Sequence, residues 1–222
     1  MKPTTSFGVI PEHEPGAWRG IVAAEPIVNC GPCADLMAVH ATAGWLVLRA
    51  IDAYRAAAGV TDPARGLTIR QSAKALATLY PELDIEVHEY VAGGITGAEV
   101  AQLIGQRGIA ASASVLAGKL PWHGTYVTQH RVAFVGKDVG SIVGGDPLKD
   151  AYSNWLPITA AALASAIDAY PKGVGGGVIL FPTVDQAFTR HPLFVSPAAA
   201  KSAGYAQAKA DAIDAVEGIK QA

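Results

Sequence analysis

Apolar residues recur every three or four positions in several parts of the chain, which is the spacing of helices that pack one face on a core. This spacing predicts helices over residues 31–57, 69–79, 96–106 and 159–170, and a C-terminal helix from Ser196 onward. Asn29 and Pro32 suit the start of the first helix, because asparagine is a favoured N-cap and proline fits the first turn. Thr96, with Glu99 three residues later, has the form of a capping box.

Shorter apolar or alternating stretches predict the strands of a sheet. They lie at residues 85–91, 109–116, 131–135, 141–143 and 178–181. Because helices come first and the later strands are mostly antiparallel, the predicted class is α+β, with the N-terminal helix packed on the sheet. We predict an N-terminal arm over residues 1–28, one domain over 29–182, and a C-terminal loop and helix over 183–222.

The composition of the chain argues against several classes of function. The chain has 222 residues, of which 50% are hydrophobic and 16% charged, with a net charge of −2. This is enough apolar material for one sizeable core, and nothing in the charge calls for nucleic acid or an anionic membrane as partner. Two cysteines separated by two residues make no disulfide framework, so a reducing compartment is the default expectation. The N-terminal sequence has no signal-peptide pattern and no apolar run approaches a membrane span.

The most informative motif is Cys30-Gly31-Pro32-Cys33, and it has two interpretations. The four residues match the dithiol of thioredoxin-like oxidoreductases, in which the second cysteine resolves a mixed disulfide formed by the first. That motif normally follows a buried strand, whereas Pro26 weakens any strand here. Alternatively, Cys30 is a nucleophile for amide hydrolysis, because the helix dipole favours a thiolate and first-turn N–H groups can hold an oxyanion. Cys33 then belongs to the core.

A thiol nucleophile needs a general base and a group that orients the base. His130 opens one strand of a predicted hairpin, and Asp146 follows the other strand. Hairpin pairing brings the start of the first strand beside the end of the second, so we expect Asp146 next to His130. His123 is a rival base, although it lies in a loop without a strand to fix it. The cysteines lack a second ligand pair, so no zinc site is expected.

Three motifs in this order resemble a known family. They are Asn-Cys-Gly-Pro at residues 29–32, His-x-Val-x-x-Val-Gly at 130–136, and Asp-Pro at 146–147 followed by Trp155. Together they resemble the papain-like cysteine peptidases related to the double-glycine leader peptidases of bacteriocin exporters. Domains of this type also occur at the N-terminus of phage lysins that cut peptidoglycan. The resemblance covers about residues 25–170.

The resemblance implies a papain-like fold, with Cys30 as nucleophile, His130 as general base, Asp146 as the orienting carboxylate, and no cofactor or metal. It implies a peptide or peptidoglycan substrate. The expected setting is a phage or prophage lysin or virion-associated hydrolase, found in the host cytoplasm or the virion, with other virion proteins as partners of the C-terminal helix.

The sequence departs from the family at the oxyanion donor. Papain-like enzymes usually carry a glutamine about six residues before the cysteine, but Ala24 stands there and no glutamine precedes Gln71. Asn29 or backbone amides are the candidates to replace it. Two other functions therefore stay open: a catalytically degenerate structural virion protein built on this fold, and a dithiol oxidoreductase.

Overall fold

The computed structural model describes residues 28–43, 50–123, 128–138, 140–148 and 155–182. The helices of these residues are α1 (Cys30–Thr42), α2 (Ile51–Ala58), α3 (Ile69–Leu79), α4 (Gly97–Arg107), α5 (Ala160–Asp168) and a 3-10 helix (Ala117–Lys119). The strands are β1 (Glu86–Glu89), β2 (Ala110–Leu116), β3 (Gln129–Asp138), β4 (Ser141–Gly145), β5 (Leu156–Ile158) and β6 (Gly177–Phe181). The α+β class predicted from the order of elements is confirmed.

The six strands form one sheet in the order β1-β6-β2-β3-β4-β5, and all neighbouring strands are antiparallel. β3 is an inner strand, with Val115 of β2 opposite His130 and Gly145 of β4 opposite Ala133. Because both neighbours of β3 run against it, the chain leaves β2 and β4 at the end where β3 begins. The segments that follow β2 and β4 therefore emerge on either side of His130.

Helices cover both faces of the sheet. Alternate residues of β3 point to opposite faces, so Ala133 and Val135 join the core under α1, α2 and α3, whereas Val132 and Phe134 join the core under α4 and α5. α1 is buried on nearly all sides. The nucleophile candidate is thus carried by a helix enclosed in the domain, and its position is set by packing rather than by the helix itself.

Local signals account well for the helices in the middle of the chain. Thr68 and Gln71 form a complete capping box at the start of α3, and Thr96 and Glu99 form another at the start of α4, as predicted for the second. Gly108 adopts φ 59° and ends α4 in the left-handed conformation that favours glycine. Both helices therefore begin at a local sequence signal, and α4 also ends at one.

Two predictions of secondary structure are wrong. The single helix predicted over residues 31–57 is divided, because Ala43 leaves the helical conformation at φ −138° and Ala50 is extended at ψ 148°. An apolar spacing close to helical continues across the division, so the pattern alone did not reveal it. The three-residue strand β5 was not predicted, since a strand this short has no alternation to recognise. It pairs with β4 through Ile142 and Ile158.

Other predictions lie outside the described residues. These are the N-terminal arm, except for Val28, and the C-terminal loop and helix over 183–222. Within the described part of the chain, none of the helices combines the length and apolar character that crossing a membrane requires.

Candidate active site

Cys30 is the first residue of α1, and its side chain is half-buried, whereas Cys33 is completely buried in the core. The backbone N–H of Cys33 donates to the carbonyl of Asn29 at 3.0 Å, which closes the first turn. Pro32 has no N–H. The N–H groups of Cys30 and Gly31 therefore have no partner within the helix, and they point out of its positive end.

Asn29 occupies the N-cap position but makes no capping hydrogen bond, contrary to the prediction. Its side-chain oxygen instead accepts a hydrogen bond from Nη1 of Arg55 at 3.1 Å. The same buried guanidinium donates to the carbonyl oxygens of Val28, Asp62 and Arg65. Arg55 thereby fixes the backbone that enters α1, and it orients the Asn29 amide with its oxygen toward the arginine. No sequence motif indicates this role, because Arg55 lies on a different helix.

His130 and Asp146 are hydrogen-bonded, as the hairpin argument predicted. Nε2 of His130 lies 2.8 Å from Oδ1 of Asp146, and the two side chains are 2% and 0% exposed. Asp146 directly follows β4, opposite β3. Burial disfavours the charged form of His130, but the hydrogen bonds to Asp146 and to the Cys30 thiol outweigh it and raise the pKa of His130 to about 10. Because Nε2 is hydrogen-bonded to Asp146, Nδ1 is the ring nitrogen that remains to interact with Cys30.

Asp146 accepts hydrogen bonds at both oxygens. Oδ1 also accepts from the backbone N–H of Leu148 at 2.9 Å. Oδ2 accepts from the indole Nε1 of Trp122 and from Nε2 of His123, both at 2.6 Å. Burial opposes ionisation of this carboxyl, but its hydrogen bonds with His123, His130 and Trp122 hold its pKa well below the usual range. His123, which the sequence presented as a rival base, shares the carboxylate with His130.

The side chains of His123, His130 and Asp146 also form the one group of potential metal ligands found among the described residues. Their ligand atoms lie within 4.8 Å of one another. The sequence did not indicate this grouping, because the three residues come from different segments and lack a ligand spacing. In the present arrangement the two imidazole Nε2 atoms are already engaged by the carboxylate, and these hydrogen bonds account for their proximity.

A buried ion pair joins the helix of Cys30 to the strand of His130. Nη1 of Arg131 lies 3.4 Å from Oδ2 of Asp35 and donates to Oγ of Ser72 at 2.7 Å. Tyr54 donates to the same oxygen of Asp35 at 2.7 Å. Arg131 is adjacent to His130 in sequence, and Asp35 lies on α1. The pair therefore sets the distance between the two elements that carry the thiol and the imidazole, and sequence reasoning missed it.

Two tryptophans enclose the glycines that precede Asp146. A Cβ on Gly144 would lie 2.8 Å from Cη2 of Trp122, and a Cβ on Gly145 would lie 3.0 Å from Cζ3 of Trp155. Any larger side chain would push a ring aside, so glycine is required for this approach. The end of β4 thus lies between the two indole rings, which surround the backbone leading to the carboxylate.

Comparisons by sequence find no relative: no family model matches the chain, and no curated protein matches it. Solved structures do resemble it. The peptidase domain of Streptococcus ComA, a bi-functional ABC transporter involved in a quorum sensing pathway, has a TM-score of 0.45 at 13% identity, covering 74% of this chain and 96% of that domain. A protein from Bacillus anthracis described as a C39-like peptidase has a TM-score of 0.51 at 11% identity, covering 81% of this chain and 96% of that one.

The likeness to the C39-like protein shows that this chain has a C39-type, papain-like fold, which confirms the fold expected from the three motifs. It concerns the arrangement of helices and strands.

Proposed function

We propose that this protein is a cysteine hydrolase that cuts a peptide or peptidoglycan amide bond, with Cys30 as nucleophile, His130 as general base and Asp146 as the carboxylate that orients the base. One observation carries the proposal. His130 is hydrogen-bonded at Nε2 to Asp146 at 2.8 Å, and it also interacts with a half-exposed thiol at a helix N-terminus.

Each part of this arrangement contributes to forming the nucleophile. The Nε2–H group of His130 donates a hydrogen bond to Asp146, which leaves Nδ1 of a neutral His130 with the lone pair that takes the proton of Cys30. The resulting imidazolium is favoured by the buried carboxylate, as the raised pKa of His130 indicates. The thiolate is favoured by the positive end of α1.

The reaction then follows from these positions. The Cys30 sulfur attacks the carbonyl carbon of the substrate, and the oxygen becomes an oxyanion. The N–H groups of Cys30 and Gly31, which have no partner within the helix, are suited to donate to it, with the side-chain amide of Asn29 as the further candidate. His130 gives its proton to the leaving amine, so the C–N bond breaks and an acyl-enzyme remains. Water, deprotonated by His130, releases the acid and restores the thiol.

Asn29 is the candidate substitute for the missing glutamine. Arg55 holds the oxygen of its amide, so the Nδ2 group faces away from the guanidinium and is the end that could donate. The position expected to hold the glutamine, Ala24, lies outside the described residues. We propose a phage or prophage lysin or a virion-associated hydrolase as the biological setting, on the resemblance of the three sequence motifs.

Site-resolved alkylation tests the nucleophile. Iodoacetamide, followed by mass spectrometry, should label Cys30 quickly near neutral pH and leave Cys33 unmodified in the native state, because Cys33 is 0% exposed. His130→Ala should slow the labelling of Cys30 by about tenfold or more, since the thiolate loses its counter-ion. Equal labelling in wild type and His130→Ala would contradict the proposed pair, and slow labelling of both cysteines would favour a degenerate structural protein.

Hydrolysis of peptidoglycan fragments tests the activity itself. Cys30→Ala should abolish release of new amino groups while the protein keeps its melting temperature. Cys33→Ala is the matched control, because it also removes a thiol from the motif but should retain turnover. A dithiol oxidoreductase would instead lose insulin reduction in both variants. Full hydrolysis by Cys30→Ala would refute the assignment of the nucleophile.

A further inference from the structure

We infer that Trp122 and His123 together are positioning residues for the proposed reaction: they hold the outer oxygen of Asp146 so that its inner oxygen faces His130. We call these two residues the Asp146 clamp. The inference rests on the proposed Cys30–His130–Asp146 site and extends it to a segment that has no counterpart in the three motifs.

The two oxygens of the Asp146 carboxylate have different partners. Oδ1 accepts hydrogen bonds from His130 at 2.8 Å and from the N–H of Leu148 at 2.9 Å. Among the described residues, the partners of Oδ2 are Trp122 and His123, both at 2.6 Å. The torsion that turns an aspartate carboxylate is broad and has no strong intrinsic preference. Donors on Oδ2 are therefore needed to fix the plane of the group, and the clamp supplies two of them.

The topology explains why this segment can reach the site. β2 ends at Leu116, opposite Gln129 at the start of β3. The chain then passes through the 3-10 helix to Trp122 and His123. Because β2 and β4 flank β3, the clamp approaches from one side and Asp146 from the other. The donors and the acceptor thus come from separate segments, and neither could meet the other without the antiparallel order of these strands.

Packing fixes the clamp in turn. The ring of Trp122 lies against Gly144, where an added Cβ would be only 2.8 Å from Cη2. The rings of His123 and His130 meet edge to face, with centroids 5.9 Å apart. The Asp146 side chain is 0% exposed and that of His123 is 10% exposed. Loss of either donor would leave Oδ2 of this buried carboxylate short of a partner, and the group could then rotate away from Nε2 of His130.

Four variants separate positioning from simple packing. Trp122→Phe removes the indole N–H but keeps an aromatic ring on Gly144. His123→Leu removes the imidazole donor, and His123→Gln restores an N–H at about the same distance from the backbone. His88→Gln is the matched control, since His88 is a partly buried histidine bonded to Glu86 in β1, far along the sheet from β3. Each variant is measured by the rate of iodoacetamide labelling of Cys30 at neutral pH.

We expect Trp122→Phe and His123→Leu each to slow labelling of Cys30 about tenfold, as the loss of one hydrogen bond to a charged group implies. His123→Gln should recover most of the rate, and His88→Gln should match wild type. In an Asp146→Asn background, Trp122→Phe and His123→Leu should have little further effect, because the acceptor they orient has changed. Circular dichroism and thermal melts identify any variant that fails to fold, and the remaining member of the clamp then carries the test.

Wild-type labelling in both Trp122→Phe and His123→Leu, with slow labelling in Asp146→Asn, would overturn the clamp and leave the proposed site intact. A slowing that persists undiminished in the Asp146→Asn background would also overturn it, since the residues would then act elsewhere. Wild-type labelling in Asp146→Asn and His130→Ala would overturn the proposed function, and the clamp with it.

Discussion

Replacing Asp35 by Asn should destabilise the fold through Arg131. Asp35 is completely buried on α1, and its Oδ2 faces Nη1 of Arg131 at 3.4 Å and the hydroxyl of Tyr54 at 2.7 Å. The amide oxygen of asparagine can still accept the bond from Tyr54. The substitution therefore removes the negative charge while it keeps the shape and one hydrogen bond, and it leaves the guanidinium buried without a carboxylate.

The size of the effect follows from the separation and the burial. At 3.4 Å and an effective dielectric constant of about 20, the Coulomb interaction is roughly 5 kcal/mol. Removing one partner of a buried pair usually costs about 3–5 kcal/mol, because the other charge stays buried. Arg131 retains Ser72 and the carbonyl of Leu67 as acceptors, which keeps the loss within this range. With a urea m-value of about 2 kcal/mol/M, the midpoint should fall by roughly 1.5–2.5 M.

Urea unfolding followed by tryptophan fluorescence measures this difference. Tyr54→Phe is the matched control, since it removes a neutral donor from the same oxygen and should cost only about 1–2 kcal/mol. The double variant Asp35→Leu/Arg131→Met should recover much of the loss, because an apolar pair can replace a buried ion pair. A loss below about 1 kcal/mol in Asp35→Asn, or no recovery in the double variant, would refute the reasoning that a buried charge is left uncompensated.

Two further predictions concern protonation and packing. The pKa of His130 is raised from 6.5 to about 10, so the extra unfolding free energy of wild type over His130→Ala should be fully present below pH 6.5 and lost as the pH rises through about 10. Urea titrations across this pH range measure the difference between the two proteins, and a difference that does not change with pH would contradict the prediction. Gly136→Ala should destabilise the fold by roughly 3 kcal/mol or more, because the added Cβ would lie 2.0 Å from the carbonyl oxygen of Ile104. Gly66→Ala is the control, since its Cβ would make only an ordinary contact at 3.6 Å, and thermal melts compare the two variants.

Elements with local start signals were predictable from the sequence. α3 begins after Thr68 and α4 after Thr96, and both carry a side chain three residues later that completes the cap. Such signals act within one turn, so no tertiary information is needed to read them. α1 is different. It is surrounded by the core on most sides, so its end at Thr42 is set by packing, and the apolar spacing that continues beyond it misled the prediction.

In the candidate site, too, one contact was predictable from the sequence and others were not. The pairing of His130 with Asp146 followed from hairpin geometry, which relates two strands joined by a short turn and thus depends on neighbouring sequence. The contacts of Asp146 with Trp122 and His123 join segments 23 and 24 residues apart. They depend on the order of β2, β3 and β4 in the sheet, and sequence spacing carries no trace of that order. Sequence reasoning accordingly treated His123 as a rival of His130.

The strand β3 links the stability of the domain to the geometry of the proposed chemistry. His130 and Arg131 are adjacent, and side chains of adjacent strand residues project to opposite faces. His130 faces Asp146, whereas Arg131 binds Asp35 on α1 and Ser72 on α3. A shift of β3 relative to α1 would therefore break the Arg131 contacts and move the imidazole from the thiol at the same time. The buried ion pair costs desolvation energy that an apolar pair would not, and its directional hydrogen bonds fix the register of helix and strand that a Cys–His pair requires.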